Sequence, residues 1–219
     1  YDYMLTNAPY GININNTTFV MNETKAVDSA TLTSDNISQT NSMGGAIALM
    51  PAANSFEKIL VHITNSDFLS NTSGNGGAIY NKGSYLSIKD STFKGNYSNH
   101  YLLDLENPKW NEDMMGGAIY NGNGAKLLLD GVTFSNNYAR KITYDGETPV
   151  VDYVKNDITN NASSSGGLYF IGNASTLDGG IEGLGYTNFN LGLDEFGNED
   201  PTAPNTTMIL GADTNIVHS

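Results

Sequence analysis

Three aspartates and three histidines are the residues of this chain that come nearest to a chemically meaningful arrangement. Two carboxylates about 5–10 Å apart would serve as acid and base, or acid and nucleophile, in glycosidic bond cleavage. Asp90 and Asp130 fall near one another when the chain is aligned on its internal repeats, but they are offset: Asp90 stands three residues before a phenylalanine, Asp130 four, and Asp67 only one. No His or Arg accompanies them at a fixed distance. The histidines, His62, His100 and His218, are dispersed, and no two have the spacing of a metal-ligand pair. There is no Cys, which removes disulfides and thiolate metal sites, and no Ser-His-Asp arrangement can be assembled. The acidic run 194–200 clusters carboxylates that would hold Ca²⁺ weakly, without the ligand spacing of a dedicated loop. The expectation is therefore no catalytic, cofactor-binding or metal-binding residue, with the aspartates acting as outward-facing solubilising groups.

The elements that would position any site are written in a repeat. Four segments end in Phe-x-x-Asn: Phe19 with Asn22, Phe68 with Asn71, Phe93 with Asn96, and Phe134 with Asn137. A second signature alternates with them, Gly-Gly-Ala-Ile, at Gly44-Gly45, Gly76-Gly77 and Gly116-Gly117. A variant reads Gly166-Gly167-Leu168-Tyr169. Self-similarity at a few tens of residues marks an architecture in which each unit buries its face against its neighbours.

Phe68 and Phe93 are 25 residues apart, which sets the minimal unit. Apolar residues lie seven and five positions before each Phe: Ile12 and Ile14, Val61 and Ile63, Leu86 and Ile88, Leu127 and Leu129. That alternation is a strand with one buried face. Asn16, Asn65, Asp90 or Gly131 stands three residues before Phe, where a bend is expected. No apolar 3.6-residue period is sustained, so helix is not expected. Three short strands per unit, from successive coils pairing in parallel about 4.8 Å apart, describe an all-β, right-handed parallel β-helix. Ladders of stacked Phe and stacked Asn follow. The whole of 1–219 reads as one solenoid domain, regular over about 11–137 and irregular over 138–219.

Insertions interrupt this frame at one corner. The connection from Phe68 to Gly76 is minimal, but the same corner is enlarged over 21–43, 97–115 and 138–165, so these loops should project from one edge. Another insertion, 51–58, leaves from a different bend. The 97–115 loop holds Tyr101, Leu102, Leu103, Leu105 and the only tryptophan, Trp110. Such a cluster is either a partner-binding patch or a small core folded back on the flank. The 138–165 loop carries Arg140, Lys141 and Lys155, three of the ten basic residues, and is either a site for an acidic partner or merely solvated.

Composition narrows the partners. The formal charge of −13, from 10 basic and 23 acidic residues, argues against nucleic acid and anionic lipid. No stretch approaches 18 apolar residues, so no helical membrane insertion is expected. The chain opens at Tyr1 with neither Met nor leader and reads as a piece of a longer protein.

Gly-Gly-Ala-Ile alternating with Phe-x-x-Asn, and above all Gly-Gly-Ala-Ile-Tyr-Asn at 76–81 and again at 116–121, resembles the polymorphic membrane protein family of chlamydial-type autotransporters and related adhesin-like surface proteins. The resemblance implies a secreted passenger displayed at the cell surface from a microbial outer membrane. It implies adhesion to a host-cell protein or glycan receptor, with self-association a further possibility, and a part in virulence. Two alternatives stand beside it. Parallel β-helices also carry polysaccharide lyases and glycoside hydrolases, and a rod of roughly six coils, about 30 Å long, would serve as a plain surface spacer.

Overall fold

The computed structural model describes residues 11–24, 43–50, 59–99, 114–122, 124–161, 167–170 and 172–182, together with the backbone of 209–210. The remaining segments, including 25–42, 51–58, 100–113 and 183–208, lie outside the described residues.

The described residues hold strands and no helix. In chain order, a first partial coil gives β1 (Ile12–Asn15), β2 (Thr18–Val20) and β3 (Ile47–Leu49). The next gives β4 (Leu60–Thr64), β5 (Asp67–Leu69), β6 (Thr72–Ser73) and β7 (Ile79–Lys82). Then follow β8 (Tyr85–Lys89), β9 (Thr92–Lys94), β10 (Tyr97–Ser98) and β11 (Ile119–Gly122). The third full coil contains β12 (Lys126–Asp130), β13 (Thr133–Ser135), β14 (Tyr138–Asp145), β15 (Thr148–Lys155) and β16 (Ile158–Asn161). After it come β17 (Gly167–Phe170), β18 (Thr176–Leu177), β19 (Ile181–Glu182) and β20 (Ile209–Leu210).

These strands stack into four sheets: β1-β4-β8-β12-β17, then β2-β5-β9-β13-β18-β20, then β6-β10-β14-β15, and β3-β7-β11-β16-β19. Every pairing is parallel except β14 with β15. The architecture is a solenoid of stacked parallel sheets. Three strands per coil were expected, whereas coils β4–β7 and β8–β11 each supply four. The extra one, β6 or β10, is two residues long and too short to show periodicity.

The core is the stack itself. Ile63, Phe68, Ile79, Leu86, Ile88, Phe93, Ile119, Leu127, Leu129 and Ile158 have no accessible surface. The phenylalanines form the expected ladder, with ring centroids 4.8 Å apart from Phe19 to Phe68, 4.5 Å from Phe68 to Phe93, and 4.9 Å from Phe93 to Phe134. Each spacing is the interstrand distance, so one coil dictates the ring position of the next.

Bends separate the sheets, and their backbone explains the residue types. Asn16, Asn65, Asp90 and Gly131 all adopt positive φ, between 47° and 64°, as their position before Phe requires. A second bend follows two residues after each Phe, at Met21, Ser70, Gly95 and Asn136, again with positive φ. Met21 and Ser70 give no sign of it by residue type. At each Gly-Gly the two glycines do different work. Gly76 has φ of 64°, while a Cβ on Gly77 would lie 2.1 Å from the carbonyl oxygen of Gly117 in the next coil.

One motif assignment is corrected. Gly167-Leu168 does not continue the Gly-Gly-Ala-Ile row; Gly167 pairs with Lys126 and Leu168 with Leu127, in the first sheet. Leu168 and Phe170 point inward with the alternation of Leu127 and Leu129, which outweighs the glycine match. The row instead continues through Ile158 and Ile181, behind Asn156-Asp157 and Gly179-Gly180. Likewise, 138–165 is not one loop. Its first part is a hairpin of two eight-residue strands, and β16 rejoins the stack.

Gly77→Ala should cost about 3 kcal/mol in chemical unfolding, because backbone in two coils must separate. Gly131→Asn should cost less than about 1 kcal/mol, since Asn already occupies that bend in two other coils. A similar cost for both would contradict the close-approach account.

Candidate functional site

Three of the insertions leave from one corner. Glu23, which precedes 25–42, bridges in parallel to Thr72 of β6. Thr72 pairs with Tyr97, whose strand precedes 100–113, and Tyr97 pairs with Tyr138, the first residue of the hairpin. Glu23, Thr72, Tyr97 and Tyr138 therefore form one row across the third sheet, and these three insertions begin within three residues of it. Tyr101, Leu102, Leu103, Leu105 and Trp110 lie outside the described residues, as do Ca²⁺-loop residues 194–200, His100 and His218. The flanks of their segment are placed. Asn99 accepts a hydrogen bond from the Tyr153 hydroxyl at 3.1 Å, and the Met114 amide donates to the Arg140 carbonyl at 2.9 Å. Both ends of 100–113 are thus fastened to the hairpin.

The hairpin turns through Gly146-Glu147, with positive φ only at Gly146, as a two-residue type II′ connection requires. Tyr144, Val150 and Tyr153 are exposed. Tyr97 stacks on Tyr138 at 5.3 Å and meets Tyr153 edge-on at 6.2 Å. The result is an aromatic surface continuous from the solenoid wall onto the hairpin. The outer edge of β15 is poor in free donors. Pro149 brings no N–H, and the Tyr153 N–H donates to the carboxylate of its own neighbour, Asp152, at 2.8 Å. Such an edge resists addition of a further strand.

Of the basic residues expected here, Arg140 is buried, at 1% exposure. Lys141 bonds Glu182 at 2.7 Å, and Lys155 bonds Asp178 at 2.8 Å. Both lysines therefore clamp the hairpin base to the segment 178–182. Asp130 is also engaged: one oxygen pairs with Lys89 at 3.1 Å, and the other accepts the Asn173 amide at 2.6 Å. Asp67 and Asp90 are exposed on separate turns of the wall. Among the described residues, no three His, Asp or Glu side chains gather as a metal set.

Behind this surface runs the asparagine ladder. The Asn71 side-chain amide donates to Asn96 Oδ1 at 3.0 Å and to the Phe19 carbonyl at 3.1 Å, and the Asn71 backbone N–H reaches the same Asn96 oxygen at 3.0 Å. Asn22 donates to Asn71, and Asn96 to Asn137, in the same way. Every rung thus donates forward along the axis. Asn137 donates to Asp157 Oδ1 at 2.8 Å, and the other Asp157 oxygen accepts the Gly179 and Gly180 amides at 2.6 and 3.1 Å. A line of donors needs a final group that only accepts, and an ionised carboxylate is one. Burial pushes the Asp157 carboxyl up to about 6, with its hydrogen bonds holding it back.

Sequence reasoning missed Asp157, because its aligned position carries Ala46, Ala78 and Ala118 in the preceding coils. It also missed a second ladder, in which Asn81 donates to Asn121 at 2.9 Å and Asn121 to Asn160 at 2.8 Å. The signal for that one was present, since both Gly-Gly-Ala-Ile-Tyr-Asn units end on its rungs. Beside it Tyr80 stacks on Tyr120 at 4.9 Å, and burial, with Tyr120 nearby, pushes the Tyr80 hydroxyl up to about 12.

With this geometry in view, comparison with known families is informative at one place. A family described as the Chlamydia polymorphic membrane protein (Chlamydia_PMP) repeat matches residues 65–82. That span runs from the bend at Asn65 through Phe68, Asn71 and Gly76-Gly77 to Lys82, so it holds one copy of each signature. No curated protein and no solved structure matches the chain.

Asn96→Asp should destabilise the fold by roughly 3 kcal/mol at neutral pH, since the carboxylate would face the Phe68 carbonyl and Asn137 Oδ1 with no proton to donate. Chemical unfolding measures it, and a loss below about 1 kcal/mol would contradict the donor chain.

Proposed function

We propose that this chain is a surface-displayed passenger that adheres to a host-cell protein or glycan through the insertions at one corner of a right-handed solenoid. The single observation that carries the reading is the row Glu23–Thr72–Tyr97–Tyr138, from which the large insertions start together. A rod with no partner would gain nothing by gathering them. The Chlamydia polymorphic membrane protein repeat at 65–82 supports display at a microbial outer membrane. Right-handed winding follows the general preference of parallel strand crossovers. The mechanism is multivalent contact, with no bond made or broken, and weak contacts on several loops sum when many copies are displayed.

The test is binding of protein-coated beads to epithelial cells. The intact chain is compared with one whose 100–113 segment is cut to the length of the Leu69–Asn75 connection. Binding should fall at least tenfold with the shortened segment. Equal binding would move the site to another insertion, and no binding by either chain would overturn the adhesive reading.

A further inference from the structure

The two ends of the stack differ. At the end that holds β18 and β19, Phe170, Leu177 and Ile181 are at most 3% exposed, and β20 already pairs with β18. At the other end β1, β2 and β3 each have one neighbour among the described strands, namely β4, β5 and β7, so three sheet edges stand open together. Ile12 is 51% exposed there, whereas its partner Val61 is 1% exposed. Phe19 and Ile47 are half-buried, although Phe68 and Ile79, their counterparts one coil on, have no accessible surface.

The backbone is open as well. The Asn16 N–H reaches forward to the Thr64 carbonyl at 3.1 Å. Successive residues of a parallel strand bond alternately to either side, so the N–H groups of Asn13 and Asn15 face the open end. The asparagine ladder is unfinished there too. Asn71 Oδ1 accepts the backbone N–H and the side-chain amide of Asn22, at 3.1 and 2.9 Å. Asn96 and Asn137 each accept the same pair from the rung before. Asn22 is exposed, and its Oδ1 accepts from no described residue. The amides of Asn71, Asn96 and Asn137 also reach back to the carbonyls of Phe19, Phe68 and Phe93. Among the described residues the Asn22 amide has no such carbonyl behind it.

The groups that would complete this end are therefore a carbonyl and, three residues later, a backbone N–H with a side-chain amide. Phe-x-x-Asn supplies all of them. The direction of the ladder restricts the occupant further, because it must arrive with donors. A second copy of this chain does not provide them, since its ladder finishes in Asp157, an acceptor already engaged by the Asn137, Gly179 and Gly180 N–H groups. We propose that the β1–β2–β3 end is a docking surface for a partner solenoid whose last coil carries Phe-x-x-Asn. That coil lies parallel to β1 and β2, with its Phe over Phe19 and its Asn donating to Asn22. The contact continues the interface that joins each coil to the next, and burial of Ile12, Ile14, Phe19 and Ile47 drives it.

A tethered coil tests the fit whatever its free affinity, since the link supplies a high local concentration. In the test chain a second copy of residues 60–84, one 25-residue coil, replaces residues 1–10 directly before Gly11. The register of β1 with β4 and of β2 with β5 then sets the added Phe68 over Phe19 and the added Asn71 over Asn22. Amide exchange of Asn13 and Asn15 at neutral pH should slow at least about tenfold relative to the chain without the added coil. Asn71→Asp in the added coil alone should remove most of that slowing, because a carboxylate has no proton to donate. Unchanged exchange, or equal slowing by the Asp version, would overturn the proposal. So would slowing in the unextended chain as its concentration rises, for a second copy would then fill the end. Should the extended chain not fold, a synthetic 60–84 peptide added to the intact chain at about 1 mM decides. Slowed exchange at Asn13 and Asn15 supports the proposal, and its absence overturns it.

Discussion

One distance governs this molecule, the spacing of about 4.8 Å between parallel strands in neighbouring coils. Along each ladder the next coil places a like side chain directly above, as Phe93 above Phe68 and Ile119 above Ile79. Phenylalanine suits this because its flat rings stack at 4.5–4.9 Å. Asparagine suits it because its amide carries a donor on one side and an acceptor on the other, and so pairs with a copy of itself. A buried lysine ladder would lack the acceptor. The repeat is thus a consequence of stacking, and each unit gains stability only from the coils on either side.

The same spacing confines variation. Inward residues and the glycines of the tight corner have backbone from the next coil against them, whereas the row Glu23–Thr72–Tyr97–Tyr138 faces outward at a corner. Chain inserted there disturbs no ladder. The β14–β15 hairpin illustrates this: it extends the third sheet antiparallel, yet β16 returns to the stack with Ile158 in register with Ile119. After the hairpin no strand of the third sheet intervenes between β18 and β19, so the hairpin also ends that sheet within the described residues.

Much of this was legible in the sequence, because periodic stacking writes itself as periodic residues. The buried pairs before each Phe, the positive-φ bend at Asn16, Asn65, Asp90 and Gly131, and the shared corner of the insertions all follow from spacing. Legibility failed where a position departs from its ladder. Gly167 was matched to the wrong row because two glycines resemble a corner, while the decisive signal was the inward alternation of Leu168 and Phe170. The two-residue strands β6 and β10 are too short to carry a period. Asp157 escaped notice because its role depends on ending a line of donors, a property of the stack that no local pattern displays.

The most direct test of the stacked-ladder account is detection of scalar couplings across its hydrogen bonds. In a labelled sample, the backbone nitrogen of Asn71 should couple to the side-chain carbonyl carbon of Asn96, and that of Asn96 to the side-chain carbonyl carbon of Asn137. Both correlations are predicted, linking residues 25 and 41 positions apart in the chain. Well-resolved signals from these amides with neither coupling present would contradict the register on which the whole architecture rests.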